Sequence, residues 1–378
     1  MDLNFTATEE AFRAECRAWL EENTPRGLPS GDTRAGFALH LEWEKLLFAN
    51  RWAVVSWPEE YGGRNASPME WLIFEEEYYR AGGPQRVTQN GIFLLAPTIF
   101  EFGTPAQQAE VLPRMAAAED LWCQGWSEPN AGSDLASTRS RAERDASGGW
   151  RLNGQKTWTT RGAFCTHLFG LFRTDPEAQR HSGLTYFMVP LDAPGITVRG
   201  FGRLDGDEGF AEVFLDDVVV TDDAVLGEVD QGWGVAMATA SAERGLTLRS
   251  PGRFTATAAR LVNLYRERAA TAAPALRDAV VQAYIEAEAY RWQTFSTVTR
   301  MVEGENIGAE PSMTKVFWSE LDIHLHETAL ALLGSAAEYD STGWMKGFEF
   351  SLSGPIYAGT NEIQRNVIAE RVLGLPRK

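Results

Sequence analysis

Trp150-Arg-Leu-Asn-Gly-Gln-Lys-Thr-Trp-Thr-Thr-Arg-Gly162 is the stretch on which the reading of the fold turns. Asn153-Gly154 lies between two short runs. Asn-Gly in that setting is the strongest short-range hairpin signal, because both residues tolerate the positive φ of a tight two-residue turn. Alternation along the second run puts Trp158 and Thr160 on one face. Downstream, residues 167–173, 184–191, 196–204 and 211–220 are short runs, rich in β-branched and aromatic residues and bounded by Gly, Pro or Asp. They predict further strands of a compact antiparallel sheet domain.

Outward from this region the pattern is helical on both sides. Thr6 and Glu9 have capping-box spacing, and Phe12, Cys16 and Trp19 follow at the spacing of one buried helix face. Further helices are predicted at 39–47, 68–80 and 105–118, with Pro58-Glu-Glu-Tyr-Gly-Gly63 and Gly82-Gly-Pro84 as turns between them. After Gly232, helical spacing returns at 234–268, 277–303 and 312–333, and again after Asn361; Ala272-Ala-Pro274 breaks two of these segments apart. The order helices, strands, helices divides the chain at 1–121, 122–231 and 232–378.

Bulk properties remove several function classes. The 378 residues carry 52 acidic and 35 basic side chains, a net charge of −17, and such a surface repels nucleic acid. The longest apolar run, 91–100, is far too short to span a bilayer. The acidic, amphipathic start lacks the features of a signal peptide, so a cytoplasmic location is expected. Cys16, Cys123 and Cys165 are scattered and odd in number, which reads as reduced thiols. Phosphate-loop and serine-hydrolase motifs are missing, and Gly232-Trp-Gly-Val-Ala-Met237 lacks the third glycine of a dinucleotide fingerprint. Asp205-Gly-Asp-Glu-Gly209 has Gly209 at a ligand position of a calcium loop and reads as a solvated turn. His324 and His326, two apart on a helix, diverge, so no metal site is expected.

Three segments carry chemistry. In Trp126-Ser-Glu-Pro-Asn-Ala-Gly-Ser-Asp134, Ser127 offers a hydroxyl, Pro129 fixes the chain and Gly132 allows close backbone approach. Trp158 beside Thr160 suits a planar heterocycle, one side chain stacking and the other hydrogen-bonding. In Ile356-Tyr-Ala-Gly-Thr-Asn-Glu-Ile-Gln-Arg365, Thr360 is a natural helix N-cap, and the backbone N–H groups there can hold an oxygen. Read singly, each is a polar loop, a core tryptophan or an ordinary cap.

Together, and with Pro58–Gly63 and Leu226-Gly-Glu-Val-Asp-Gln-Gly-Trp233, these segments resemble the acyl-CoA dehydrogenase family in motif, order and spacing over nearly the whole chain. The resemblance implies a mainly α fold: an N-terminal helical domain, a central antiparallel β-barrel and a C-terminal four-helix bundle. It implies FAD, with Trp126 and Ser127 at the pyrimidine edge, Trp158 against the isoalloxazine, Thr160 near N5, Gly132 in the flavin loop and Ser133 at the boundary between flavin and pantetheine. Thr360 and Glu362 would touch the dinucleotide part.

The family resemblance also exposes two departures. Many members carry the catalytic glutamate directly before the Gly-Thr of the C-terminal motif, where this chain has Ala358. Others place it before an arginine on the first helix after the barrel. Ala240-Ser-Ala-Glu-Arg-Gly245 matches that segment, making Glu243 the candidate α-proton base and Arg244 a substrate neighbour. Small neighbours leave Glu243 open to desolvation, which raises a carboxyl pKa towards that of a working base. The implied reaction is α,β-dehydrogenation of an acyl-CoA thioester to the 2-enoyl-CoA, with the β-hydride going to flavin N5 and the Ala358 N–H facing the thioester oxygen. Electrons would pass to an electron-transferring flavoprotein or similar acceptor. The second departure is the absence of the family's Arg-x-x-Phe at 269–277, where Arg277 or a different subunit could supply the arginine. A homotetramer, or a heterotetramer with a related chain as in steroid side-chain dehydrogenases, is expected. The competing readings are a flavin monooxygenase or oxidase on this fold and a non-catalytic partner subunit. The acyl group stays open between short, branched and steroid-sized.

Overall fold

The computed structural model describes residues 4–146, 148–244, 250–339 and 343–377, with the side chains of 242–244 outside that description. In chain order the helices are α1 (Ala7–Asn23), α2 (Arg34–Ala49), α3 (Pro68–Arg80), α4 (Ala96–Phe102), α5 (Pro105–Ala116), α6 (Gly232–Arg244), α7 (Pro251–Arg268), α8 (Pro274–Val302), α9 (Pro311–Leu333), α10 (Trp344–Ser351) and α11 (Asn361–Val367). The strands are β1 (Trp122–Gly125), β2 (Arg141–Arg144), β3 (Trp150–Thr160), β4 (His167–Arg173), β5 (Leu184–Pro190), β6 (Ile196–Phe201), β7 (Phe210–Val220) and β8 (Val225–Leu226). The helical N-terminal part, β middle and helical C-terminal part follow one another as the sequence order predicts.

Helix starts follow local chemistry. Thr6 with Glu9, Ser67 with Glu70 and Thr104 with Gln107 form three capping boxes, each satisfying two orphan backbone donors. Pro68, Pro105, Pro251 and Pro274 occupy first-turn positions where no N–H is needed.

The chain divides into two compact units. One gathers residues 1–26, 66–84 and 244–378. Its core lies among α7, α8 and α9, where Phe254, Leu261, Ala287, Tyr290, Trp318 and Leu325 are buried together. The other gathers residues 27–65 and 85–243 and holds the sheet. Its order is β6-β7-β3-β2-β4-β5-β8, with β1 beside β4. Cys123, Leu152, Leu168, Phe172, Phe187 and Val213 are buried on one side of that sheet.

Several expectations are corrected. Asn153-Gly154 is no hairpin turn: β3 runs through it, and a register shift between Leu152 and Gly154 absorbs the irregularity as a bulge. Gly154 has φ 152° and sits against Ser140, where a Cβ would collide at 2.2 Å, so this glycine serves close approach and not a turn. The sheet is not a closed barrel among the described residues. β6 pairs only with β7 and β8 only with β5, and β8 is two residues long, too short to carry a ladder onward. Nor is it purely antiparallel, since β1 and β4 run parallel. The single helix predicted over 234–268 is two helices, because Pro251 starts a new one behind the Ser250 cap. Asp205-Gly-Asp-Glu-Gly209 is a turn with Gly206 and Glu208 exposed, but its aspartate carboxylates are not solvated. Arg203 reaches Asp205 and Asp207 in it, and Asp32 beyond it, in a buried ion network.

Candidate active site

β1 ends at Gly125 and delivers the chain into the loop 126–134. Glu128 and Ala131 close a tight turn around Pro129 with two backbone hydrogen bonds of 2.9 and 3.0 Å. The Glu128 carboxylate points inward and accepts from Lys156 Nζ at 2.8 Å, from Arg139 N at 2.7 Å and from Ser140 N at 2.9 Å. Burial alone would raise this carboxyl; the adjacent Lys156 ammonium and the Ser140 and Arg139 donors outweigh it and hold it below the ordinary range. Lys156 is wholly buried and also donates to the Leu171 carbonyl at 2.8 Å. Thr157 N donates to the Ser127 carbonyl at 2.9 Å, so loop and strand are joined directly.

Immediately after that bond the strand is irregular. Lys156 pairs with Val213 and Thr159 with Ala211, so Thr157 and Trp158 together face one residue of β7. Trp158 takes φ 57°, a left-handed conformation that a bulky residue rarely adopts and that clusters at ligand sites. Its indole is 61% exposed, with Phe201 and Phe210 edge-on at 5.3 and 5.5 Å. Thr159 is fully buried between exposed Trp158 and half-buried Thr160. Ser127 and Trp126 are half-buried, while Gly132 and Ser133 are exposed. A Cβ at Gly132 would meet nothing within 4 Å, leaving space before the loop. The Trp126 Nε1 is buried without a partner among the described residues. An open indole face, an unspent N–H and a half-buried hydroxyl suit a planar, polar-edged heterocycle such as flavin.

In the other unit, Thr360 caps α11 by accepting from Ile363 N at 3.2 Å. Ala358 and Gly359 are both left-handed, with φ 56° and 76°. The buried Gln364 amide braces them, donating to the Ala358 carbonyl at 3.1 Å and the Gly359 carbonyl at 3.4 Å. Asn361 accepts from Lys315 Nζ at 2.8 Å and Ser319 Oγ at 3.1 Å, which anchors the same turn from α9. Glu362 is exposed on the first turn of α11, and Arg277 is exposed on the first turn of α8.

Glu243 and Arg244 lie on the last turn of α6, and their side chains are outside the described residues. One turn earlier, Thr239 is fully buried; its hydroxyl meets those of Thr98 at 2.8 Å and Tyr186 at 3.2 Å. These bonds fix the helix that carries Glu243. Sequence reasoning missed Glu128, Lys156, Asn361, Gln364 and Lys315 as the supports of these segments. A lysine between Gln155 and Thr157, at a position that alternation places on the same face as Leu152, was the available signal for the first pair.

Family models for the acyl-CoA dehydrogenase N-terminal, middle and C-terminal domains match residues 6–119, 123–218 and 230–373. The chain is 40% identical to "Acyl-CoA dehydrogenase IpdE1" of Mycobacterium tuberculosis over 98% of both chains. Among solved structures, "Tcur3481-Tcur3483 steroid ACAD" has TM-score 0.88 and 28% identity over 100% of both chains. The "ChsE4-ChsE5 complex from Mycobacterium tuberculosis" has TM-score 0.84 and 28% identity over 100% of both chains.

Proposed function

The chain belongs to the acyl-CoA dehydrogenase family and is an FAD-dependent acyl-CoA dehydrogenase; on that premise we propose that Glu243 is the base that removes the α-proton of the thioester. The observation that carries the cofactor's placement is Trp158, a large aromatic held open and left-handed by a bulge beside the Ser127 loop. When bound, FAD supplies the two-electron acceptor for the β-hydrogen. The protein's own groups do the rest. Trp158 and Thr160 cover the ring, Trp126 and Ser127 meet its polar edge, and Gly132 and Ser133 leave room where the acyl-CoA arm passes. Thr360 and Glu362 are assigned to the dinucleotide part.

Proton removal needs a base, and the Ala358 side chain offers none. Glu243 stands on α6, beside Arg244, which is assigned to the substrate. The backbone N–H of Ala358 remains available to the thioester oxygen, where enolate charge develops as the α-proton leaves. The division at 1–121, 122–231 and 232–378, with a four-helix C-terminal bundle, belongs to the same reading. A cytoplasmic location belongs to it too; no described helix is long and apolar enough to cross a membrane.

We assign electrons to an electron-transferring flavoprotein or similar acceptor. The assembly is a tetramer, either of this chain alone or of two copies with two of a related chain. Full-length likeness to solved structures titled "Tcur3481-Tcur3483 steroid ACAD" and "ChsE4-ChsE5 complex" supports the mixed form and makes steroid-sized thioesters candidate substrates. Anaerobic titration of the yellow protein with short, branched and steroid-bearing acyl-CoAs tests the reading. One class should bleach the flavin stoichiometrically; no bleaching by any class, alone or with the related chain, refutes it.

A further inference from the structure

We propose that the buried Glu128–Lys156 ion pair is the positioning device of the flavin face, setting the attitude of Ser127 and Trp158, an inference that rests on the flavin reading above. Both partners are almost wholly buried: Lys156 shows 0% and Glu128 8% side-chain exposure. An ion pair in such a place gains little over an apolar pair of the same volume, because desolvation offsets the attraction. A role in geometry accounts for a pair that stability alone does not require.

The geometry supplies one. Glu128 follows Ser127 directly, and Lys156 precedes the bulge of Thr157 and Trp158. Between them the Thr157 N–H meets the Ser127 carbonyl at 2.9 Å. The pair and this bond lock the loop to the strand at the bulge itself. Each charge is then held by further fixed groups. The ammonium also donates to the Leu171 carbonyl on β4 and lies 4.8 Å over the Phe172 ring. The carboxylate also takes the Arg139 and Ser140 N–H groups. β3, β4, the loop 126–134 and the approach to β2 thus meet on two side chains. Bulges and left-handed residues persist only where the surroundings over-determine them. These bonds are that over-determination for Trp158.

The test is the double variant Glu128→Leu with Lys156→Met, which keeps volume and removes both charges together. Three quantities are read: the thermal midpoint of the apoprotein, its FAD affinity followed by tryptophan quenching, and the visible flavin band. We expect the variant to fold with a lowered midpoint, since the Arg139 and Ser140 N–H groups lose their acceptor. FAD binding should weaken by about tenfold or more through lost pre-organisation, with a shifted flavin band. A folded double variant with wild-type affinity and band overturns the proposal. Should that variant not fold, Glu128→Asp keeps the charge and shortens its reach by one methylene. It should bind FAD more weakly with the band shifted, and wild-type binding by it overturns the proposal equally. If neither variant folds, the pair is a structural element and the proposal fails. Wild-type apoprotein that binds no FAD would instead strike the flavin reading on which the inference stands.

Discussion

At the scale of one residue, the proposal that Glu243 is the base can be tested directly. Glu243→Gln preserves shape and hydrogen bonding and removes basicity, so FAD and acyl-CoA should still bind. Flavin reduction in anaerobic stopped flow should fall at least about 10²- to 10⁴-fold, the contribution of a positioned base. Exchange of the substrate α-hydrogen with solvent deuterium should stop with it. Reduction at the wild-type rate would send the search for the base elsewhere. Trp158 gives a second test. Its left-handed φ is strained for tryptophan and free for glycine, while its loss removes two edge-on ring contacts. These terms oppose one another, so Trp158→Gly should leave apoprotein stability within about 1 kcal/mol. FAD affinity should drop clearly, as measured by equilibrium dialysis. Unchanged affinity would remove Trp158 from the flavin face. The family likeness was legible because its motif segments are contiguous and keep their order. The groups that hold those motifs were not: Lys156 finds Glu128 across 28 positions and Lys315 finds Asn361 across 46, and no local pattern announces such pairs.

At the scale of elements, α1, α3 and α8 are tied by carboxylates of α3. Glu77 is taken by Arg13 at 3.0 Å, Arg17 at 2.9 Å and Arg80 at 2.7 Å, and Glu76 links Arg13 to Arg291. Burial would raise the Glu77 carboxyl, but Arg17, Arg80 and Arg13 outweigh it and hold it at about 2. A carboxyl whose folded value lies below its unfolded one contributes stability that is fully present above the ordinary value. That contribution is lost as the pH falls from about 4.5 towards about 2. Glu77→Gln should therefore lower the urea midpoint at neutral pH, and the gap to wild type should close across that window. A gap independent of pH would show that packing, not charge, joins these helices. The elements themselves were mostly legible, since capping boxes, first-turn prolines and strand runs are local signals. The exceptions share a cause. Asn153-Gly154 reads as a turn locally, yet pairing with β7 on both sides keeps the strand extended through it. Asp205-Gly-Asp-Glu-Gly209 reads as solvated, yet Arg203 and distant Asp32 draw it into a buried network. A sheet's closure is also non-local, and the two-residue β8 leaves it open.

At the scale of the whole molecule, a ligand that binds only the folded state stabilises it by mass action, about 2.7 kcal/mol at a hundred times its Kd. Stripping FAD should lower the thermal midpoint, and adding it back, but not FMN, should restore it in proportion to log concentration. Assembly is the last test, and a feature of α8 bears on it. Val281, Tyr284 and Ile285 are 49%, 45% and 54% exposed, at spacings of three and four that put them on one face. Three exposed apolar side chains on one helix face favour association with a matching subunit. The net charge of −17 opposes non-specific association of the chain with itself. Light scattering on protein made alone and together with a related chain should therefore show a tetramer in at least one case. If the mixed form is the native one, FAD occupancy should rise with the partner, because the chain has Arg277 but not the Arg-x-x-Phe pattern at 269–277. Ile285→Glu should then lower the mass without changing the far-ultraviolet dichroism of the subunit. A stable, FAD-replete monomer under both conditions would refute the homotetramer and the heterotetramer alike, and would require the whole flavin site to be completed by this chain alone.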